Sequence, residues 1–460
     1  MRKLAWLLIA ACALCACGDD GGLTVPDSYQ FDSRYDDSQS SVGYTGQTLR
    51  HVLIADLNRQ IDGLTARVDD AVTNGPLLAA GDVTGSLLFY YEFDSSVGGD
   101  VAIQMTADTP FMQTTYSEIS TGKNLVGKIA GNDSVTDHRD WSTDFVGFDA
   151  ATPDALVRAW FAELETAALN RQGGTIPTDP NGNQIQSVYV TADGRDLEQL
   201  TQKFLLGAVA LSQGLDDYLD DDVEGKGLLA ANTRDDDAPY TVLEHQWDEG
   251  FGYFGASRFF LDMSDDEIAD GLATDGNGDN LIDLRAEYNF GVSVNAAKRD
   301  RGSDESARTD FTREGFEAFL RGRALIANMD ETPSARDIDE LREQRDIIAR
   351  VWLSSIAATA IHYVNDTLAD MDDFGTADYS FADHAKHWSE LKGFLLGLQF
   401  APQSPLPRDK FVELDLLVGT APVLSSASAQ DIADYRAALL QVRDDLTTAF
   451  EFESINAENW

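Results

Sequence analysis

Residues 383–394 read Asp383-His384-Ala385-Lys386-His387-Trp388-Ser389-Glu390-Leu391-Lys392-Gly393-Phe394. At a helical repeat His384 and His387 stand one turn apart, and Glu390 one turn further on. Phe381, Trp388, Phe394 and Leu395 flank this face of two imidazoles and a carboxylate. The helix runs from about Phe381 to Phe400 and stops at Pro402, which cannot continue it. An earlier stretch has the same elements: Glu244-His245-Gln246-Trp247-Asp248-Glu249-Gly250-Phe251-Gly252, with His245 and Glu249 at i and i+4 beside a tryptophan. Two readings stay open for both clusters. Each holds metal ligands, or each hydrogen-bonds within an aromatic core.

Outward from this helix the chain continues to read as helices. Leu49, Leu53, Leu57, Ile61 and Leu64 form an apolar stripe at spacings of three and four. Thr152-Pro153-Asp154 opens another helix with an N-cap, a proline at N1 and an acid in the first turn. Residues 195–219 are the clearest amphipathic segment. Phe311 to Asn328 follows, then a long helix from Ala335 to Met371, capped by Ser334 and rich in small residues between Ser354 and Ala360. Ser428 and Asp431 start the last one, which ends near Phe450. Strand-like alternation is scarce, Gln186 to Thr191 being the best case. The fold class is therefore all-α, with antiparallel helices in two bundles. The first bundle is expected over residues 44–300 and the second over 301–460.

The sequence has 460 residues, 43% of them hydrophobic, and a net charge of −45. That charge argues against nucleic acid and anionic membrane surfaces as partners. Cys12, Cys15 and Cys17 all precede residue 18. Arg2 and Lys3 lead into the apolar run Leu4 to Ala16, the layout of an export signal over residues 1–16. Leu14-Cys15-Ala16-Cys17-Gly18 then resembles a lipobox, with Cys17 as the lipidated residue; Ile9-Ala10-Ala11-Cys12 is a rival box with a shorter apolar core. After cleavage before Cys17 the remaining chain has no pair of cysteines for a disulfide and no set for a zinc–thiolate site. Residues 17–43, rich in Gly, Asp and Ser, read as the lipidated cysteine and a flexible tether. Gly18 after Cys17 favours the outer membrane.

Asp275-Gly276-Asn277-Gly278-Asp279-Asn280-Leu281-Ile282-Asp283 follows the spacing of an EF-hand loop. Asp275, Asn277, Asp279, the Leu281 carbonyl and Asp283 occupy positions 1, 3, 5, 7 and 9. Asn280 stands where glycine is usual and tolerates the left-handed backbone. Position 12 is Ala286, with Glu287 one place late. The expectation is a structural Ca²⁺ joining two helices, closed by Glu287 or by a carboxylate from elsewhere. Imidazole with carboxylate suits Fe or Zn instead, so His245, Glu249, His384, His387 and Glu390 are the candidate transition-metal ligands, expected to meet in one site between the bundles. There is no His-Glu-x-x-His, Gly-x-Ser-x-Gly, P-loop or dinucleotide fingerprint, so nothing positive points to an enzyme.

Tyr44-Thr45-Gly46-Gln47-Thr48-Leu49-Arg50, the Glu244–Gly255 stretch, Gly322-Arg323-Ala324 and His387–Phe394 together resemble an imelysin-like family of bacterial lipoproteins, in a branch catalogued as a domain of unknown function. The resemblance implies two related helical bundles and a Gly-x-His-x-x-Glu motif. Lys386 stands at its glycine, while His387 and Glu390 match its histidine and glutamate. It also implies a link to iron uptake at the cell envelope. The expected function is a lipid-anchored envelope protein, not an enzyme, that binds iron or another metal and works with a metal-uptake system. The alternatives are a metal-dependent hydrolase with Glu390 as general base, and a calcium-stabilised binder of acidic polysaccharide.

Overall fold

The computed structural model describes residues 23–98 and 100–460. Cys12, Cys15 and Cys17, with the export signal, lie outside them. Among the described residues the fold is all-α: the β pairing is confined to isolated bridges such as Phe111 with Ile282. Helices of nine residues or more are α1 (Thr45–Asp62), α2 (Leu64–Asn74), α3 (Asp82–Tyr91), α4 (Pro153–Gln172), α5 (Leu197–Leu205), α6 (Val242–Phe254), α7 (Val292–Arg301), α8 (Phe311–Asn328), α9 (Ala335–Asp372), α10 (Phe381–Gly397), α11 (Arg408–Val418) and α12 (Ala429–Ala449). The caps follow local chemistry. Thr152 Oγ1 accepts from the Ala155 amide at 3.1 Å, and Ser334 Oγ accepts from Asp337 at 3.2 Å while the Asp337 carboxylate accepts from the Ser334 amide.

The amphipathic segment 195–219 is helical with two wide turns. After α5 it passes through the π-helical stretches Leu206–Leu211 and Gly214–Tyr218. Here α10 presses against it: a Cβ on Gly207 would lie 2.5 Å from the Gly397 Cα. Such π-turns recur where a helix is adjusted for a function.

The long helix α9 packs on α8, α10, α7 and α12, and α10 in turn packs on α5. Length and composition would let α9 cross a membrane, but 78% of its apolar window is buried within the protein. One hydrophobic cluster runs from Tyr29 through Trp352 to Trp460. The interior is therefore continuous across residue 300, where the sequence reading divides it. The segment expected as a tether is also packed from Val25 on. Tyr29 stacks on Phe251 at 3.8 Å, its hydroxyl donates to Asp248 at 2.8 Å, and fully buried Arg323 joins Asp248, Glu244 and Ser41 at 2.9, 3.0 and 2.7 Å. Ring stacking and charge-assisted hydrogen bonds order this stretch despite its polar composition.

Candidate functional site

The helix α10 starts at Ser380, whose hydroxyl accepts from the Asp383 amide at 3.2 Å. It carries His384, Trp388, Glu390 and Phe394 into the interior. Gly393 lets α5 approach closely, since a Cβ there would meet the Lys203 Cβ at 2.6 Å. That contact places the Lys203 ammonium 3.4 Å from Glu390 Oε1. Glu390 is only 4% exposed; among the described residues its other oxygen, Oε2, has no well-formed hydrogen bond, although the Tyr363 hydroxyl lies beside the carboxylate. A cleft of about 220 Å³ opens beside it, lined by His51, Lys203, Phe290, Lys298, Tyr363 and Phe394 among others. A larger groove of about 600 Å³ lies under Val25–Asp27, but its Arg313 and Glu317 side chains are more than half exposed and already paired to each other.

The electrostatics of the cleft are unusual for so acidic a chain. Lys298, in the last turn of α7, makes no ion pair among the described residues. Burial, then the neighbouring Lys203 and Arg299 charges, lower its pKa. Burial likewise brings Arg299 down to about 10, and its Nε lacks a partner. Burial and the adjacent Glu390 carboxylate raise the Tyr363 hydroxyl well above its usual range, so it stays protonated. His51 Nε2 lies 3.2 and 3.1 Å from the carbonyls of Gly252 and Tyr253, to which it must donate. Burial lowers this ring to about 4, leaving it neutral with an acceptor lone pair on Nδ1.

Behind the cleft runs a chain of imidazoles and carboxylates between α9 and α10. His387 Nδ1 is 2.8 Å from Asp370 Oδ2 and its Nε2 is 4.0 Å from Asp366. His384 Nδ1 is 3.7 Å from the same Asp370 oxygen, and its Nε2 lies 3.1 Å from the Val423 carbonyl. His362 Nε2 is 3.3 Å from Asp366. For His387, burial acts to lower the pKa, but the Asp370 hydrogen bond and the surrounding carboxylates outweigh it and raise the value. Burial and the nearby Arg299 charge bring His362 down to about 3.

The expected ligand set is thus divided. His384 and His387 share Asp370, whereas Glu390 turns to Lys203. On α6, His245 stacks on Tyr240 at 4.4 Å and reaches Glu249 at 3.8 Å, and Glu249 accepts from Gln47 at 2.8 Å. None of these partners belongs to the α10 cluster, and α6 packs chiefly on the π-helical turn, α8 and α1. Among the described residues no group of three or more His, Cys, Asp or Glu is disposed to hold a metal ion.

The calcium-type loop is organised by its own amides. Asp275 accepts from Gly278, Asp279 and Asn280 at 2.7, 3.1 and 2.8 Å, Asn277 accepts from Asp279, and Asp279 accepts from Leu281. Asp283 turns to Arg285 and Gln113. Buried Glu287 closes the loop, accepting from Gly276, Asn277 and Asp283. Asn280 has the left-handed backbone expected of it, with φ 66.

His51, Asp366, Asp370, Tyr363, Lys203 and Lys298 are among the site residues that sequence reasoning did not single out. The i, i+4 repeat His362–Asp366–Asp370 carried the same helical-face signal as His384–His387–Glu390 and could have found three members of the cluster.

A family model described as "Domain of unknown function (DUF4856)" matches residues 26–452. No curated protein and no solved structure matches the chain.

Proposed function

Because the chain belongs to the DUF4856 family, whose description carries no activity, we propose from its geometry that it is a binding protein holding a small anionic solute in the cleft between α5, α7, α9 and α10. The observation that carries this reading is the pairing at one cleft of Lys298, which makes no ion pair among the described residues, with a Glu390 Oε2 that no well-formed hydrogen bond completes. Leaving a buried charge or acceptor unpaired costs stability, and such groups persist where a ligand completes them. A net charge of −45 makes a local surplus of positive charge more telling, because the rest of the surface repels anions. The apolar leader and Cys17 extend the proposal to a lipid-anchored protein of the bacterial envelope, in the manner of the imelysin-like lipoproteins and their paired helical bundles.

Thermal melts against a panel of small anions, cations and neutral solutes test the reading. A ligand of the native state stabilises it by about 2.7 kcal/mol at a hundredfold excess over Kd, so an anion that fits should raise Tm. The double variant Lys203→Met, Lys298→Met should lose that rise. An equal rise in the double variant would overturn the proposal.

A second reading keeps the imidazoles as metal ligands. It is favoured by the His387–Asp370 contact, which orients an imidazole as outer carboxylates do in metal sites. It is opposed by the lack, among the described residues, of a converging three-ligand group. Stoichiometric iron or zinc in protein purified without chelator would support it over the anion reading.

A further inference from the structure

We propose that the occupant of the cleft is a monoanionic hydroxy acid, with its carboxylate on Lys298 and a hydroxyl donated to Glu390 Oε2. This names the ligand class for the binding reading above and rests on it.

The argument is one of charge and hydrogen-bond balance. At 3.4 Å, Lys203 and Glu390 compensate each other through Oε1, which leaves Lys298 as the cation to be matched. One negative charge on the ligand meets that need. The remaining sockets are acceptors: Glu390 Oε2, which no well-formed hydrogen bond among the described residues completes although the Tyr363 hydroxyl is beside that carboxylate, and His51 Nδ1, free because Nε2 is committed to two carbonyls. The Nδ1 edge of His51 turns towards Gly291 on the cleft wall, where a Cβ would come within 3.5 Å of it. Acceptors call for donors on the ligand. An ammonium would fill them, but it would place a third cation beside Lys203 and Lys298, whereas neutral hydroxyls complete them without adding charge. The walls suit such a molecule. Phe290 lies 5.3 Å from the His51 ring, and Phe394 stacks on Tyr363 at 6.1 Å, giving apolar faces for the C–H surface of a hydroxylated chain or ring.

Isothermal titration of the full chain in detergent, with gluconate, hexanoate and sorbitol, tests the class. Gluconate carries both groups, hexanoate the carboxylate alone, and sorbitol the hydroxyls alone. Gluconate should bind, hexanoate at least tenfold more weakly, and sorbitol not detectably. Lys298→Met should abolish gluconate binding while Lys298→Arg retains it. Glu390→Gln should narrow the gluconate–hexanoate gap to below about threefold, since one acceptor is exchanged for an amide. A melt of each variant establishes that it is folded.

Hexanoate or sorbitol equalling gluconate, or no gluconate binding at millimolar concentration, overturns the class. Asn295→Trp separates this failure from failure of the cleft itself. If another solute binds and Asn295→Trp abolishes it, the cleft stands and the hydroxy acid falls. If binding survives Asn295→Trp, both fall.

Discussion

Two cations, Arg323 and the partly buried Lys298, show how differently a positive charge can serve a protein. Arg323, fully buried, is matched by Asp248 and Glu244 and by the Ser41 hydroxyl. Arg323→Met should lower the unfolding free energy by about 3–5 kcal/mol in urea titrations, because Asp248 is left buried without its cation while Glu244 keeps only Arg34. Lys298 has no such match, so Lys298→Met should raise stability, by about 1 kcal/mol in the same titrations, as expected where a functional charge is removed. A loss on Lys298→Met comparable to that of Arg323→Met would show that Lys298 is structural. Of the site itself, His384, His387 and Glu390 were legible as one face because a single helix displays them. Their partners were not. Asp366 and Asp370 come from α9, Lys203 from α5 and Lys298 from α7, and pairing across helices has no local sequence period. His245 misled for the same reason: Trp247 and Glu249 repeat the composition of the α10 cluster, but Tyr240 and Gln47 are what hold that face.

At the scale of elements, the close approach of α10 to the π-helical turn is asymmetric. A Cβ on Gly207 would sit 2.5 Å from backbone, whereas one on Gly397 would have its nearest contact at 3.5 Å. Gly207→Ala should therefore destabilise by about 1–3 kcal/mol, while Gly397→Ala should be nearly neutral in the same denaturant series. Equal effects would mean that the two backbones stand further apart. The loop 275–287 gives a second test. With Glu287 accepting three backbone amides, Glu287→Ala should cost about 1–3 kcal/mol with chelator present. A loss seen only with added Ca²⁺ would return this loop to the role its spacing first suggested. Most helices could be read from periodicity and caps: Pro153, Ser334 and Ser428 each mark a start that the structure keeps. The helix α7 could not. Its sequence is largely polar and it begins after Gly291, at φ 54, rather than after a side-chain cap. The π-turns were equally hidden, since they depend on what α10 presses against.

Over the whole molecule the buried carboxylates set the response to pH. Burial raises Asp196 to about 7, and Asp216 and Asp300 to about 6. Between the unfolded carboxylate range and these values the native state binds more protons than the unfolded one, so stability falls as pH rises through this window. His51, near 4, and His362, near 3, act in the opposite direction. The unfolded state protonates them first, so their contribution is lost as pH drops below about 6.5. Tm should climb from pH 8 to about 5 and fall again below about 4. Asp196→Asn, which keeps an N-cap acceptor for Glu198 and Gln199, should flatten the climb. A monotonic rise of Tm to pH 8 would contradict these assignments.

The clamp of Arg323 over Tyr29 and Ser41 also limits where the body can be relative to a surface that held it. If the lipid is on Cys17, Val25, which packs against the core, stands only eight positions further on. Eight residues span at most roughly 28 Å, less than a tether running to Gly43 would allow. Any pull on such an anchor would pass through Val25 to the Tyr29–Phe251 stack and the Asp248–Arg323 pair, which would couple the position of the anchor to the helical core.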